Sequence, residues 1–246
     1  MENNGNSRVN RASRRLWSGG CIALAALLLA ACTYQGYDNP VPRKFSWFSY
    51  VNGDDVRSGC AVGAPDQLRF VYNAIYFEQV RSYDLVPAAE PGRTEMTTRV
   101  TQTADLSGYA VEGSILDLFK PWRPVKSITV LRDTDFAELK RAMASDGVLG
   151  RAPVGLELPS YEFYWLIAAC IDGAFYYHAF LWPKNDVTQL GFAKLLFSWD
   201  FTDIPVNPPR KASLFDLFGT PYPKEHRNVF NLRVAENGLW GIGYDN

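Results

Sequence analysis

Tyr161-Glu162-Phe163-Tyr164-Trp165-Leu166-Ile167-Ala168-Ala169-Cys170-Ile171-Asp172-Gly173-Ala174-Phe175-Tyr176-Tyr177-His178-Ala179-Phe180-Leu181-Trp182 is the stretch whose reading decides the fold. Two apolar runs flank Asp172-Gly173, and Asp-Gly suits a two-residue type I′ turn because both central residues need positive φ. The stretch therefore predicts an antiparallel hairpin with Cys170 opposite Phe175, Ala169 opposite Tyr176 and Ala168 opposite Tyr177. Each pair sets a small side chain against an aromatic ring, which is what filling a tight two-sided space requires. Both stripes of both strands are apolar, so the hairpin is expected at the centre of a sheet, covered on both faces. His178 falls opposite Ile167 in this register and reads as a hydrogen-bonded core side chain.

Working outward, residues 68–85 fit both helical and strand spacing, and their Phe, Val, Tyr and Ile content favours a strand. They read as one long strand with a bulge near Phe77-Glu78. Arg69, Asn73, Glu78, Gln79 and Arg81 are then expected on its less buried side. Residues 45–51 read as a first strand, 95–103 as an exposed or edge strand, and 125–131 as a further strand. Asp133-Thr134-Asp135 opens the clearest helix, running to about residue 145, with Phe136, Leu139 and Met143 at helical spacing and Gly147 beyond its end. Residues 116–124 read as a short helix or loop, 192–201 as a strand or short helix, 204–211 as an exposed Pro-rich loop, and 214–218 as one or two helical turns. For the last hairpin, the apolar pattern predicts a three-residue loop, Glu236-Asn237-Gly238, pairing Val234 with Trp240, Leu232 with Ile242 and Phe230 with Tyr244. The expected class is α+β: a strand-rich single domain, mostly antiparallel sheet, with one covering helix.

Composition agrees. Fifteen Phe, 13 Tyr and seven Trp among 246 residues favour half-buried pleated surfaces. The formal net charge is −1 and no basic run follows residue 15, so nucleic acid is not an expected partner.

The N-terminus carries a different signal. Arg8, Arg11, Arg14 and Arg15 precede the apolar run Cys21-Ile22-Ala23-Leu24-Ala25-Ala26-Leu27-Leu28-Leu29-Ala30-Ala31. The run is about half the ~20 residues a spanning helix needs, and the charged start with a short apolar core is a secretory signal pattern. Leu29-Ala30-Ala31-Cys32 resembles the lipobox of bacterial lipoproteins, a resemblance covering residues 8–33. It implies cleavage before Cys32, lipid on that cysteine, and hence a membrane as partner. Thr33 in place of Asp implies the outer membrane, facing the periplasm. Ser13-Arg14-Arg15-Leu16-Trp17 also looks like part of a twin-arginine export motif, from which Ser18 departs. The expected division is 1–31 signal peptide, 32–44 lipidated N-terminus and Pro-broken tether, and 45–246 one globular domain. With Cys21 and Cys32 so assigned, Cys60 and Cys170 remain as a pair in an oxidising compartment and are expected to form a disulfide.

Catalytic signatures are sparse. No P-loop, Gly-x-Ser-x-Gly elbow or zinc spacing occurs, so no catalytic residue, metal or cofactor is expected. His226 sits in a polar stretch. Tyr76, Arg81 and Tyr83, with Arg69 and Glu78, combine the residue types that carry interface energy, and Trp122 marks a second candidate surface. These point to a non-catalytic binding or assembly role with envelope protein partners. The alternative is an envelope-polymer hydrolase that gathers His178, Glu162 and Asp172 in one cleft.

Overall fold

The Asp172-Gly173 turn forms with both residues at positive φ, 51° and 74°. It joins β6 (Phe163–Ile171) to β7 (Ala174–Leu181) in the expected register, with Cys170 opposite Phe175, Ala168 opposite Tyr177 and Ile167 opposite His178. The structure is a computed structural model describing residues 47–76, 78–102, 124–211 and 230–243. All of these belong to the compact unit Tyr37–Asn246.

The preceding strands are β1 (Gln67–Ala74), β2 (Gln79–Pro87), β3 (Arg93–Gln102), β4 (Val125–Arg132) and β5 (Glu157–Pro159). Two strands close the chain, β8 (Asn231–Ala235) and β9 (Gly238–Gly243). The helices are α1 (Asp54–Gly59), α2 (Asp133–Ser145) and α3 (Gly191–Ser198). The fold is strand-rich and mostly β, built on a six-stranded antiparallel sheet ordered β4-β3-β2-β1-β6-β7, with a second sheet ordered β5-β8-β9. None of the described helices is long and apolar enough to cross a membrane.

Several expectations are corrected. The chain from 68 to 85 is not one bulged strand but the β1–β2 hairpin, reversing where the bulge was expected. Ile75 makes the turn at φ 62°, accepting hydrogen bonds from the Glu78 and Gln79 amides. β3 is interior rather than an edge, because β4 pairs along its other side. β6 is interior and buried throughout, but β7 is the sheet's last strand and only partly covered. Residues 47–52 are helical, not a strand, and of the two options for 192–201 the helix forms. The expected elements at 116–123 and 214–218, and His226, lie outside the described residues.

One face of the six-stranded sheet carries Leu68, Phe70, Tyr72, Tyr83, Leu85, Met96, Trp165 and Ile167 into the main core, with Leu139 and Met143 of α2 and Phe192 and Leu196 of α3. Trp165 is its hub, with ring centres 4.9 Å from Tyr72 and 5.3 Å from Phe192, and its indole N–H donating to the Val187 carbonyl at 3.3 Å. α2 begins with the Asp135 carboxylate accepting the Arg132 amide at 3.1 Å, and Asp146 beyond its end accepts the Phe192 amide, tying the two helices together.

Residues 47–59 cover the opposite face. They cross it with Gly53 at φ 69°, so close that a Cβ there would lie 2.4 Å from the Ala168 Cβ. A side chain at either position would lift the helix off the sheet, which explains the small residues opposite aromatics in β6. The Tyr177 hydroxyl donates to the Val51 carbonyl at 2.7 Å. Beyond α1, Cys60 is bonded to Cys170 across 110 residues.

The C-terminal hairpin is also corrected. Ala235 faces Gly238 and Val234 faces Leu239, so the loop is the two residues Glu236-Asn237. Leu239 is buried and Trp240 is 59% exposed, the reverse of the expected stripe. The Asn52 side-chain oxygen sets this register by accepting the Leu239 amide at 2.6 Å.

Gly238 lies at φ 147°, and a Cβ there would meet the same Asn52 oxygen at 2.4 Å. Gly238→Val should therefore lower the free energy of unfolding in urea by about 2 kcal/mol or more, while Asn237→Ala stays within about 0.5 kcal/mol. Equal effects would refute this packing. A Cys60→Ala/Cys170→Ala variant should lose about 4–5 kcal/mol against the oxidised protein, from the length of loop released. A loss under ~1 kcal/mol would show that the crosslink does not measurably restrict the unfolded chain.

Candidate functional site

Most of the polar residues expected on one exposed side lie inside the protein. Arg69 on β1 and Arg81 on β2 belong to opposite stripes of the sheet, and they are 4% and 0% exposed. Each is matched by a carboxylate. The Arg69 guanidinium binds both Asp55 oxygens at 2.6 and 2.8 Å, and its Nε donates to Asp84 at 2.6 Å. It also lies 3.9 Å above the centre of the Tyr50 ring. Asp84 further accepts the Tyr50 hydroxyl and Arg99, each at 2.7 Å. Burial alone would lower the Arg69 pKa, but Asp84, Tyr50 and Asp55 together hold it well above the ordinary guanidinium value.

On the other face Arg81 pairs with Asp200, donates to the Ile204 carbonyl, and is steadied by Gln79 at 3.0 Å. The Tyr83 hydroxyl donates to the same Asp200 carboxylate at 2.9 Å. Burial, then the Asp200 charge, pushes the Tyr83 phenol well above its usual range.

Residues 200–211, of which 204–211 are expected as an exposed loop, form a half-buried strap over the β1–β2 turn. Gln79 donates to the Pro205 carbonyl and accepts the Asn207 amide, each at 3.0 Å. The Tyr72 hydroxyl reaches the Asn207 carbonyl at the same distance. Glu78 accepts Asn207 and Arg210, both at 2.7 Å. Tyr76 is half-buried, its ring 6.0 Å from Trp47 and 4.9 Å from Phe230.

The structure thus brings Arg81 and Tyr83 together and ties Glu78 to the same strap, while Tyr76 packs on Trp47 and Phe230, so these residues are core and seam rather than one open binding surface. Arg69 faces the other layer. Trp122 lies outside the described residues.

The hydrolase constellation does not assemble either. Glu162 and Asp172 sit at opposite ends of β6, a nine-residue strand, which at strand rise places them roughly 30 Å apart. The His178 ring lies tilted against Phe180, ring centres 4.6 Å apart, and its buried Nδ1 is without a hydrogen-bond partner of ordinary geometry among the described residues. Burial lowers its pKa, favouring the neutral ring. No group of three or more metal-binding side chains occurs among the described residues.

What the interior does not offer, the perimeter does. β4 ends the six-stranded sheet among the described residues, so one of its backbone edges is unpaired there. Val125, Ile128 and Val130 on this strand are 46%, 55% and 55% exposed. Ile128 and Val130 share their stripe with exposed Lys126 and Arg132. A strand edge with half-exposed β-branched residues is a template for another strand. The sequence held a signal for it, because an apolar stripe bracketed by two cations cannot be deeply covered. No protein-family model, curated protein or solved structure matches this chain.

Asp200→Asn should destabilise the protein by about 3–5 kcal/mol in urea unfolding, because it strands the fully buried Arg81. Asp54→Asn removes the partner of the more exposed Arg57 pair and should cost no more than about 1 kcal/mol. Similar losses would show that the Arg81–Asp200 pair is not a buried charge pair in solution.

Proposed function

We propose that the chain is a lipid-anchored envelope lipoprotein of the outer membrane, facing the periplasm, with a non-catalytic role in binding or assembling envelope proteins. The anchor rests on Leu29-Ala30-Ala31-Cys32 behind its basic and apolar run. Several acyl chains on one cysteine hold a protein to a bilayer without a spanning helix. The bonded Cys60–Cys170 pair suits an oxidising compartment. On the same reading the class is α+β, with α2 covering one face of the large sheet.

The observation that carries the binding role is the open β4 edge. The buried arginines are spent on structural carboxylates, whereas among the described residues β4 has no strand paired along its outer edge, beside Ile128 and Val130. An extended segment of a partner protein, apolar at alternate positions and acidic at the end that meets Lys126, matches that edge.

Palmitate labelling of cells should mark the native protein and not Cys32→Ser, with labelled protein recovered in the outer-membrane fraction. A photo-crosslinker at Ser127 should give a discrete adduct in the envelope that falls at least about tenfold in Ile128→Lys/Val130→Lys. Absence of label removes the anchor, and an adduct indifferent to the double substitution removes the β4 site.

A further inference from the structure

The smaller sheet turns one stripe inward and one outward. Leu158, Leu232, Val234 and Leu239 are buried. Glu157, Arg233 and Trp240 are exposed and form a single row across three strands, Glu157 opposite Arg233 and Arg233 opposite Trp240. At ordinary strand spacing the row spans about 10 Å. Trp240 is 59% exposed, with the Arg233 guanidinium 5.8 Å from its ring centre.

The charges in this row lack the ion pairs that most of the described arginines make, Arg141 and Arg151 being the other exceptions. Arg57, Arg69, Arg81, Arg99, Arg132 and Arg210 each hold a carboxylate. Arg233 holds none among the described residues, although Glu157 is its neighbour in the row. Glu157 takes only a long 3.5 Å hydrogen bond from Asn231. The row therefore presents a flat apolar ring, a two-pronged cation with open donors, and a carboxylate with open acceptor sites, side by side.

We infer that this row binds a carboxylate-bearing saccharide. The apolar face of a sugar ring stacks on Trp240, as amphipathic partners do on indole. A carboxylate carried beside that ring takes the Arg233 fork, a pairing whose geometry is bidentate, and Glu157 accepts a hydroxyl from the adjoining ring. The row's length is about that of a disaccharide. Charge complementarity favours this occupant over an anionic membrane, which selects clusters of about four to eight basic residues and not one arginine beside a glutamate. The inference deepens the envelope-binding role and rests on it, since peptidoglycan, whose free carboxylates lie on the peptide stems joined to its sugar rings, is the glycan that such a location supplies.

The test is co-sedimentation of the full-length, detergent-solubilised protein with purified peptidoglycan sacculi, either intact or with their carboxylates amidated by carbodiimide coupling. Intact sacculi should bind about tenfold more tightly than amidated ones. Arg233→Gln should bind intact sacculi no better than amidated ones, and Trp240→Ala should lose about tenfold or more on both. Both side chains are exposed, so thermal unfolding should stay near that of the native protein. Glu157→Gln provides a third surface variant, expected to weaken binding to both preparations. Equal binding to intact and amidated sacculi, native-like binding by Trp240→Ala, or binding to phosphatidylglycerol vesicles in place of sacculi would each overturn the proposal. Palmitate labelling of the same preparation separates the two readings. Unlabelled protein that binds sacculi keeps the site and drops the anchor, and labelled protein that ignores sacculi does the reverse.

Discussion

The two-sided burial of β1, β2 and β6 is the constraint on which the remaining structure depends. A strand covered on both faces has no wet stripe, so any charged residue on it must find its counter-charge within the protein. Arg69 and Arg81 meet that requirement in opposite directions. Arg69 takes Asp55 from the helix crossing one face, and Arg81 takes Asp200 from the strap crossing the other. Each covering layer is therefore keyed to the sheet by one carboxylate. The pairs need contribute little net stability to be useful, because a shifted layer would leave a guanidinium buried alone.

Chemistry and interior are consequently separated. The large sheet consumes its polar residues in holding its own covers, while the groups with open valence lie at the perimeter, on the β4 edge and on the outer face of the smaller sheet. A protein that acts by contact is well served by this arrangement. On the proposed binding role, the interior holds the frame while the margins are left for recognition of a strand or a polymer.

How far the residues announced this outcome varies with the local physics. Asp172-Gly173 was readable because its turn needs two positive φ angles and uses residues that tolerate them. The β1–β2 turn was not, because Ile75 occupies the positive-φ position, where a β-branched residue is rare. Its burial outweighs its conformational preference, and no turn signal marks it. Misreading that one reversal put Arg69 and Arg81 on a single exposed stripe. The last hairpin failed for the opposite reason. Its pattern assigned Trp240 to a core, but Asn52, far away in sequence, draws in the Leu239 amide and turns the tryptophan outward. The β4 edge lay in plain view, in an apolar stripe bracketed by Lys126 and Arg132.

The β1–β6 pairing also has a temporal meaning. β1 through β4 join each to the next, and β6 meets β7 across a tight turn, so either group can form from local contacts. The two halves of the sheet meet along one seam, where Gln67 faces Cys170 and Ala74 faces Phe163. The largest single loop-closure cost of the large sheet falls there, which makes joining the halves the slow event topology imposes. The Cys60–Cys170 bond lies at one end of that seam. Oxidation therefore acts as a latch on assembly: it cannot close in this register until residue 170 is free to reach Cys60, and once closed it keeps the two halves within reach through every later opening.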